Sequence, residues 1–205
     1  MTFDPIAKAR SIASVEENQA LYREWATTYD RDVFETLGFT GSDRIADLLA
    51  SYVPRRSTEV VDLGCGTGAV GVRLAALGFV RFDGVDLSPE MLDTARAKGV
   101  YRSLTTMDLT KKVTPTHRYG AAVSAGTFTS GHVGPIAIAE VAKLLTPGAV
   151  VAWVIASSVW ASFEPALADS GIEIVHRSVE AIRTNGPPEA VMLVGRLVEV
   201  SAPTL

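Results

Sequence analysis

The fold of this chain is decided by the stretch Glu59-Val60-Val61-Asp62-Leu63-Gly64-Cys65-Gly66-Thr67-Gly68. Its apolar start predicts a buried strand, and a glycine at every second position from Gly64 predicts a tight turn. The run from Ala69 to Leu77 is predicted to be a helix. Glycine lets a ligand lie directly against the backbone, and the first turn of a helix offers unpaired N–H groups with a partial positive charge. The stretch therefore predicts a ligand site.

Two classes of ligand use such a turn. The spacing Gly64-x-Gly66-x-x-Ala69 formally matches the dinucleotide fingerprint, which would indicate a nicotinamide-dependent oxidoreductase. Asp62 argues against that ligand, because a carboxylate so close to the turn would repel a pyrophosphate. The same carboxylate would attract the ammonium and sulfonium of S-adenosylmethionine (SAM), whose own carboxylate suits a helix N-terminus. A purely structural turn beside a solvated Asp62 is the remaining interpretation.

Acidic residues also follow the next two predicted strands. The segment from Arg81 to Ser88 carries Asp86, and the short strand from Arg102 to Met107 ends at Asp108. Ligands of an open parallel sheet bind beyond the carboxyl ends of the strands. We therefore expect Asp62, Asp86 and Asp108 to face, in that order, the amino acid end, the ribose and the adenine of one SAM molecule.

These residues resemble the class I SAM-dependent methyltransferases. The likeness is carried by Val61 to Gly68 and by Gly84-Val85-Asp86-Leu87-Ser88-Pro89-Glu90-Met91-Leu92. Two further segments narrow it to the methyltransferase-like branch that includes the Williams–Beuren region methyltransferase. They are Tyr22-x-x-Trp25-Ala26-x-x-Tyr29-Asp30-x-Asp32-Val33 and Val123 to Pro135. The likeness covers the chain from roughly residue 20 onward, and it implies SAM as cofactor and S-adenosylhomocysteine as product.

The predicted site combines the N-terminal segment, the glycine turn and the strand ends. The acceptor is expected to contact Trp25, Thr127, Phe128 and His132. The predicted cofactor-binding residues are Trp25, Tyr29, Asp62, Gly64, Cys65, Gly66, Gly68, Asp86, Leu87, Met91, Met107, Asp108, Leu109, Ala125 and Gly126.

The order of predicted elements indicates an α/β fold, a Rossmann-like doubly wound sheet of seven strands. The loop from Thr184 to Pro188 is too short for a crossover helix, so the last two strands, Ile172 to Ile182 and Ala190 to Val200, form an antiparallel hairpin on a mostly parallel sheet. We expect one domain over residues 1–205.

Residues 1–40 are predicted to form a helical lid segment within that domain. Leu21, Trp25, Tyr29 and Val33 recur at every fourth position and place one apolar face on a helix from Glu16 to Phe34. A helix that only covers the core would show the same face, so two interpretations stay open: a lid over the cofactor or a permanently packed helix.

Composition and charge restrict the classes of partner and the location expected for this protein. The net charge is −4 and no basic face is evident, which argues against a nucleic-acid partner. The longest apolar run, Ala149 to Ala156, is too short to cross a membrane. One cysteine and no visible signal peptide favour a cytoplasmic location. Oligomeric state is not predicted.

Methyl transfer from a sulfonium is a direct displacement, so the enzyme mainly aligns the reacting atoms. His132 follows the fourth predicted strand and is the candidate base or orienting group, unless it caps the next helix or faces solvent. No His/Cys cluster has metal-ligand spacing, so no metal is expected. The absence of an added substrate domain favours a small-molecule acceptor. A SAM-binding protein without catalysis stays open as an alternative, as does the oxidoreductase.

Overall fold

The computed structural model describes residues 15–198 of the 205-residue chain. Within that range the chain forms one seven-stranded sheet. The strands are β1 (Val60–Leu63), β2 (Phe82–Asp86), β3 (Ser103–Thr106), β4 (Tyr119–Phe128), β5 (Leu145–Ala156), β6 (Ile172–Glu180) and β7 (Ala190–Leu197). The α-helices are α1 (Val15–Trp25), α2 (Gly41–Tyr52), α3 (Ala69–Ala76), α4 (Pro89–Ala97), α5 (Ala137–Ala142) and α6 (Trp160–Asp169).

The sheet has the order β3-β2-β1-β4-β5-β7-β6. Neighbours from β3 to β5 pair in parallel, whereas β7 pairs antiparallel with both β5 and β6. This arrangement confirms the predicted doubly wound sheet with its antiparallel C-terminal hairpin. The strand order reverses between β1 and β4, and a ligand of such a sheet binds beyond the strand ends at that point.

Both faces of the sheet are covered. Side chains of β5 alternate between two apolar cores: Val151, Trp153 and Ile155 enter one, while Val150, Ala152 and Val154 enter the other. Such a strand is apolar throughout, because neither face meets water. Burying each large side chain contributes roughly 1.5–3 kcal/mol before the entropy cost of folding.

The N-terminal segment differs from the predicted helix over Glu16 to Phe34. The α-helix ends at Trp25, and after a turn the chain continues as a π-helix over Arg31–Thr36. At the break the chain forms a tighter turn, in which Thr28 N donates to the carbonyl oxygen of Trp25 at 3.0 Å. Asp32 connects the two sides of this turn, because its Oδ2 accepts hydrogen bonds from Thr28 Oγ1 at 2.8 Å and from Trp25 Nε1 at 3.0 Å. Leu21, Trp25 and Val33 nevertheless share one apolar cluster.

Several predicted boundaries also shift. The third strand is shorter than the predicted Arg102 to Met107. β4, predicted over Tyr119 to Gly126, runs on to Phe128, and β5, predicted over Ala149 to Ala156, already begins at Leu145. Gly126 and Gly148 both have positive φ and interrupt these strands locally, so the apolar pattern did not mark their full length. Residues 1–14 of the predicted lid and residues 199–205, which include the predicted end of the last strand, lie outside the described residues.

A buried tyrosine fixes the glycine turn to the sheet. The Tyr101 hydroxyl donates to Asp62 Oδ2 at 2.6 Å and accepts from the backbone N–H of Gly71 at 3.1 Å. It thereby satisfies one of the N–H groups that the first turn of α3 leaves without a partner. A Cβ at Gly71 would lie only 2.2 Å from the tyrosine ring, so glycine is required there.

Asp62 is fully buried on β1, and its Oδ1 has no hydrogen-bond partner in the described part of the chain. Burial raises the pKa of Asp62 to about 7, although the hydrogen bond from Tyr101 opposes this shift.

The described helices include none that is long and apolar enough to cross a membrane.

Asp62→Asn is expected to remove a pH dependence of stability. The folded protein holds a proton on Asp62 up to pH about 7, whereas an unfolded aspartate loses it near its ordinary pKa of 3.8. The free energy of unfolding of the wild type therefore falls as pH rises through this window. We expect the free energy of unfolding of Asp62→Asn, relative to that of the wild type, to be larger at pH 8 than at pH 5, as measured by urea denaturation.

Asp93→Asn provides the baseline for neutralising an exposed carboxylate, since the Asp93 side chain is 73% exposed. If the difference in free energy of unfolding between Asp62→Asn and the wild type were the same at both pH values, the protonation assigned to Asp62 would be wrong.

Candidate functional site

Two adjoining cavities lie at the carboxyl ends of β1, β2 and β4. The first cavity has a volume of about 280 Å³ and extends from the glycine turn to the segment after β3. The second cavity has a volume of about 100 Å³ and lies between the glycine turn and the N-terminal segment. Both are lined by Tyr22, Tyr29, Gly64, Gly66, Ala125, Gly126 and His132, so the cavities meet along these residues.

The glycines of the turn have different tasks. A Cβ at Gly64 would come within 2.1 Å of Thr127 Oγ1, so this glycine permits close packing of the turn against the end of β4. A Cβ at Gly66, which has a φ of 52°, would meet no atom within 4 Å. Gly66 therefore leaves free space at the wall of the first cavity, where a ligand can lie against the backbone.

Asp86 at the end of β2 holds the turn in place. Its Oδ2 accepts from Gly66 N at 2.8 Å, and its Oδ1 accepts from Ser88 N at 2.9 Å. Burial raises the pKa of Asp86, and the N–H groups of Ser88 and Gly66 act in the opposite direction. Each carboxylate oxygen retains a second lone pair, which is available to hydroxyl groups of a ligand in the first cavity.

The far end of the first cavity is largely apolar. Leu87, Met91, Met107 and Leu109 form its walls, and Met91 and Leu109 are buried. Methionine side chains adapt well to a flat ring. Asp108 borders this end, where its Oδ1 accepts from Thr110 N at 2.9 Å.

The N-terminal segment is attached to the same turn. Asp30 accepts from Thr67 Oγ1 at 2.5 Å and from Lys98 Nζ at 2.6 Å. Arg23 pairs with Glu90 on α4 at 3.0 Å. Tyr29 lines both cavities, and burial together with the nearby charge of Asp86 raises its pKa. The N-terminal segment is thus held beside the cavities by contacts to the glycine turn and α4.

His132 forms a pair with Tyr22 where the two cavities meet. Its Nε2 lies 2.7 Å from the Tyr22 hydroxyl, and its Nδ1 lies 3.2 Å from the carbonyl oxygen of Ser130. Because a carbonyl oxygen can only accept, Nδ1 carries the proton and Nε2 accepts from Tyr22. His132 therefore lines the site with a basic nitrogen and does not serve as a cap for α5.

Most predicted cofactor residues line the first cavity. They are Tyr29, Gly64, Gly66, Asp86, Leu87, Met91, Met107, Asp108, Leu109, Ala125 and Gly126. Trp25 and Cys65 line only the second cavity, and burial raises the pKa of the Cys65 thiol. Asp62 and Gly68 line neither cavity, because both face Tyr101 beneath the turn.

Of the predicted acceptor residues, Trp25, Phe128 and His132 line the second cavity, whereas Thr127 lines the first. Sequence reasoning missed Tyr22, Thr110, Gly131 and Val133 in the first cavity. Tyr22 could have been found, since it lies three residues before Trp25 and seven before Tyr29 on one side of the N-terminal segment.

Known proteins share this sequence pattern. A family model described as a methyltransferase domain matches residues 60–148. Human methyltransferase-like protein 27 is 33% identical over 150 residues, which cover 71% of this chain. The present chain spans only 60% of the length of that relative.

Solved structures share the fold. A TehB-like SAM-dependent methyltransferase from Corynebacterium glutamicum has a TM-score of 0.67 at 20% identity, covering 86% of this chain and 97% of that one. Magnesium protoporphyrin IX methyltransferase from Synechocystis, solved with bound SAM, has a TM-score of 0.65 at 17% identity, covering 95% of this chain and 98% of that one. The solved structures show the fold, and together with the domain match and the human relative they support the assignment of this chain to the class I SAM-dependent methyltransferases.

Proposed function

We propose that this protein transfers a methyl group from SAM to a small-molecule acceptor and releases S-adenosylhomocysteine. The observation that carries the proposal is the free space at Gly66, which lies against the Asp86 carboxylate in the first cavity. An open Cβ position also occurs at Gly148, outside both cavities, so the support comes from the place of this space beside the half-buried Asp86 in the first cavity.

The residues of the first cavity fit the three parts of SAM. Asp86 offers lone pairs to the ribose hydroxyls, and the apolar walls with Asp108 suit the adenine. Gly64, Gly66 and Tyr29 border the place for the amino acid end. Asp62 lies behind the turn and does not contact the ligand; it contributes by holding Tyr101, whose hydroxyl also accepts from Gly71 at the start of α3.

The chain's own residues have few chemical tasks in this reaction. SAM, when bound, supplies a methyl group on a sulfonium, whose displacement leaves a neutral sulfur. The N-terminal segment excludes water from the place where the cavities meet, and Tyr22 and Tyr29 hold the acceptor in line. His132 presents Nε2 there as a proton acceptor.

A cytoplasmic location and the absence of a nucleic-acid partner belong to the same proposal. The support is the net charge of −4 and the single cysteine. We also propose that residues 1–205 act as a single domain with residues 1–40 as its lid segment. The antiparallel position of β7 argues against the nicotinamide-dependent alternative.

Gly66→Val is expected to abolish binding of SAM and S-adenosylhomocysteine, because the branched side chain would fill the space reserved for the ligand. Isothermal titration calorimetry measures the loss. Gly148→Val is the matched control, since Gly148 also has a positive φ, of 80°, and nothing within 4 Å of its Cβ position, but it lies outside both cavities. Equal binding by the two folded variants would refute the proposed cofactor site.

S-Adenosylhomocysteine is expected to raise hydrogen-exchange protection of residues 17–36 and of residues 64–68 over the same range of ligand concentration. The reason is that Asp30 joins the two segments through Thr67. Asp30→Ala should weaken this coupling, leaving residues 17–36 less protected in the bound state, as measured by exchange mass spectrometry.

Glu24→Ala controls for the loss of a charge on the same segment, because Glu24 is exposed on α1. Unchanged protection of residues 17–36 on binding would mean that the segment is permanently packed and does not act as a lid. A methyl-release assay, scored by S-adenosylhomocysteine formation, separates the proposed enzyme from a protein that only binds SAM.

A further inference from the structure

We infer that the second cavity binds an uncharged, single-ring aromatic hydroxy compound of the phenol class, and that Tyr22 and His132 together remove the proton of its hydroxyl. The inference rests on the proposed methyl transfer and names the acceptor class of that same site. Four observations support it: the aromatic walls of the cavity, its charge balance, its volume and the geometry of the Tyr22–His132 pair.

The walls of the second cavity favour a flat ring. The Tyr22 and Trp25 rings are stacked, with centroids 5.9 Å apart and an interplanar angle of 20°. Tyr29 meets Trp25 edge-on at 4.7 Å, and Phe34 and Phe39 continue this wall. Aromatic rings gain most from partners at such distances in offset or edge-on arrangements. An aromatic ligand can therefore pack against these walls in the same offset or edge-on arrangements.

The charges that border the second cavity cancel. Arg183 donates from Nε and Nη2 to the two oxygens of Glu189, at 2.7 and 3.1 Å. Both side chains are largely buried, with exposures of 25% and 16%. A carboxylate or ammonium on the acceptor would lose its hydration here, and the charges it could pair with are already paired with each other. The cavity consequently selects against charged acceptors.

The volume limits the acceptor to one ring. An apolar cavity of roughly 150 Å³ holds a benzene molecule. The second cavity alone provides about 100 Å³, but it opens toward the first along seven shared residues. A single ring therefore occupies the second cavity and part of this opening, with its substituent directed at the first cavity, and a fused ring system would need still more of the shared space.

The Tyr22–His132 pair lies at this opening and suits a hydroxyl. A phenolic hydroxyl has a pKa of about 10, and it becomes more acidic as its oxygen attacks an electrophile. A neutral imidazole is then basic enough to accept its proton. Burial raises the pKa of Tyr22 well above its usual value, so Tyr22 relays a proton and does not itself remain ionised. Its hydroxyl faces His132 Nε2 at 2.7 Å, as a relay requires.

The step balances as follows. The acceptor oxygen forms a bond to the methyl carbon of SAM, and the sulfur–methyl bond breaks with its electron pair staying on sulfur. The acceptor proton passes to the Tyr22 oxygen while the Tyr22 proton passes to His132 Nε2. The products are the methyl ether, neutral S-adenosylhomocysteine sulfur and an imidazolium, so the positive charge moves from sulfur to His132.

The test uses the full chain loaded with S-adenosylhomocysteine, titrated by calorimetry with phenol, benzoate and benzylamine. We expect the titration with phenol to reach saturation. The two charged compounds should bind at least about tenfold more weakly, because their charge loses its hydration without a compensating partner. Charged compounds that bind as tightly as phenol would overturn the inference. Prior titration with S-adenosylhomocysteine alone tests the proposed function: if that ligand fails to bind, the proposed function itself is wrong, and this inference with it.

Tyr22→Phe and His132→Gln test the proton path. Both should bind phenol within about threefold of the wild type, since the ring wall persists, yet transfer methyl groups to it about 100-fold or more slowly. If Tyr22→Phe retains the wild-type rate with phenol, the relay is wrong. If saturation with phenol occurs but no methyl ether forms in the wild type, the acceptor class is wrong while cofactor binding stands.

Discussion

The hydrogen bonds from Gly66 N and Ser88 N to the Asp86 carboxylate join the glycine turn, the end of β2 and the start of α4. They act together with Tyr101, which fixes the other side of the turn to β1. The carboxylate that forms these bonds also lines the first cavity. The proposed contact to the ribose would therefore use the same two oxygen atoms that hold the turn.

The N-terminal segment extends this dependence to the cover of the site. Thr67, inside the turn, donates to Asp30, which also accepts from Lys98 at the end of α4. Any movement of the turn thus reaches the segment that carries Tyr22, Trp25 and Tyr29. Since these rings line the second cavity, its walls are joined by hydrogen bonds to the turn that borders the first cavity. The proposed lid would use this connection to close over both ligands.

The sequence predicted the sheet because its signals are local: apolar runs, glycines and cap residues repeat at known spacings. It also predicted most residues of the first cavity, since the carboxyl ends of parallel strands converge. It did not predict the break after Trp25, where Thr28 N bonds to the Trp25 carbonyl oxygen and Asp32 holds the side chains of Trp25 and Thr28. Nor did it predict the Tyr22–His132 pair, because these residues lie 110 positions apart and meet only through the fold.

The glycines explain why a motif alone could not separate ligand contacts from packing. Gly64, Gly66 and Gly68 share positive φ and regular spacing, so they are equivalent in the sequence. In the structure only Gly66 has free space where a Cβ would lie, whereas Thr127 fills that space at Gly64 and Tyr101 borders it at Gly68. Two glycines thus serve the packing of neighbouring elements, and one leaves room at the cavity wall for the proposed ligand. That distinction depends on side chains distant in sequence, which is why the turn could indicate a resemblance to a family but not which glycine meets the ligand.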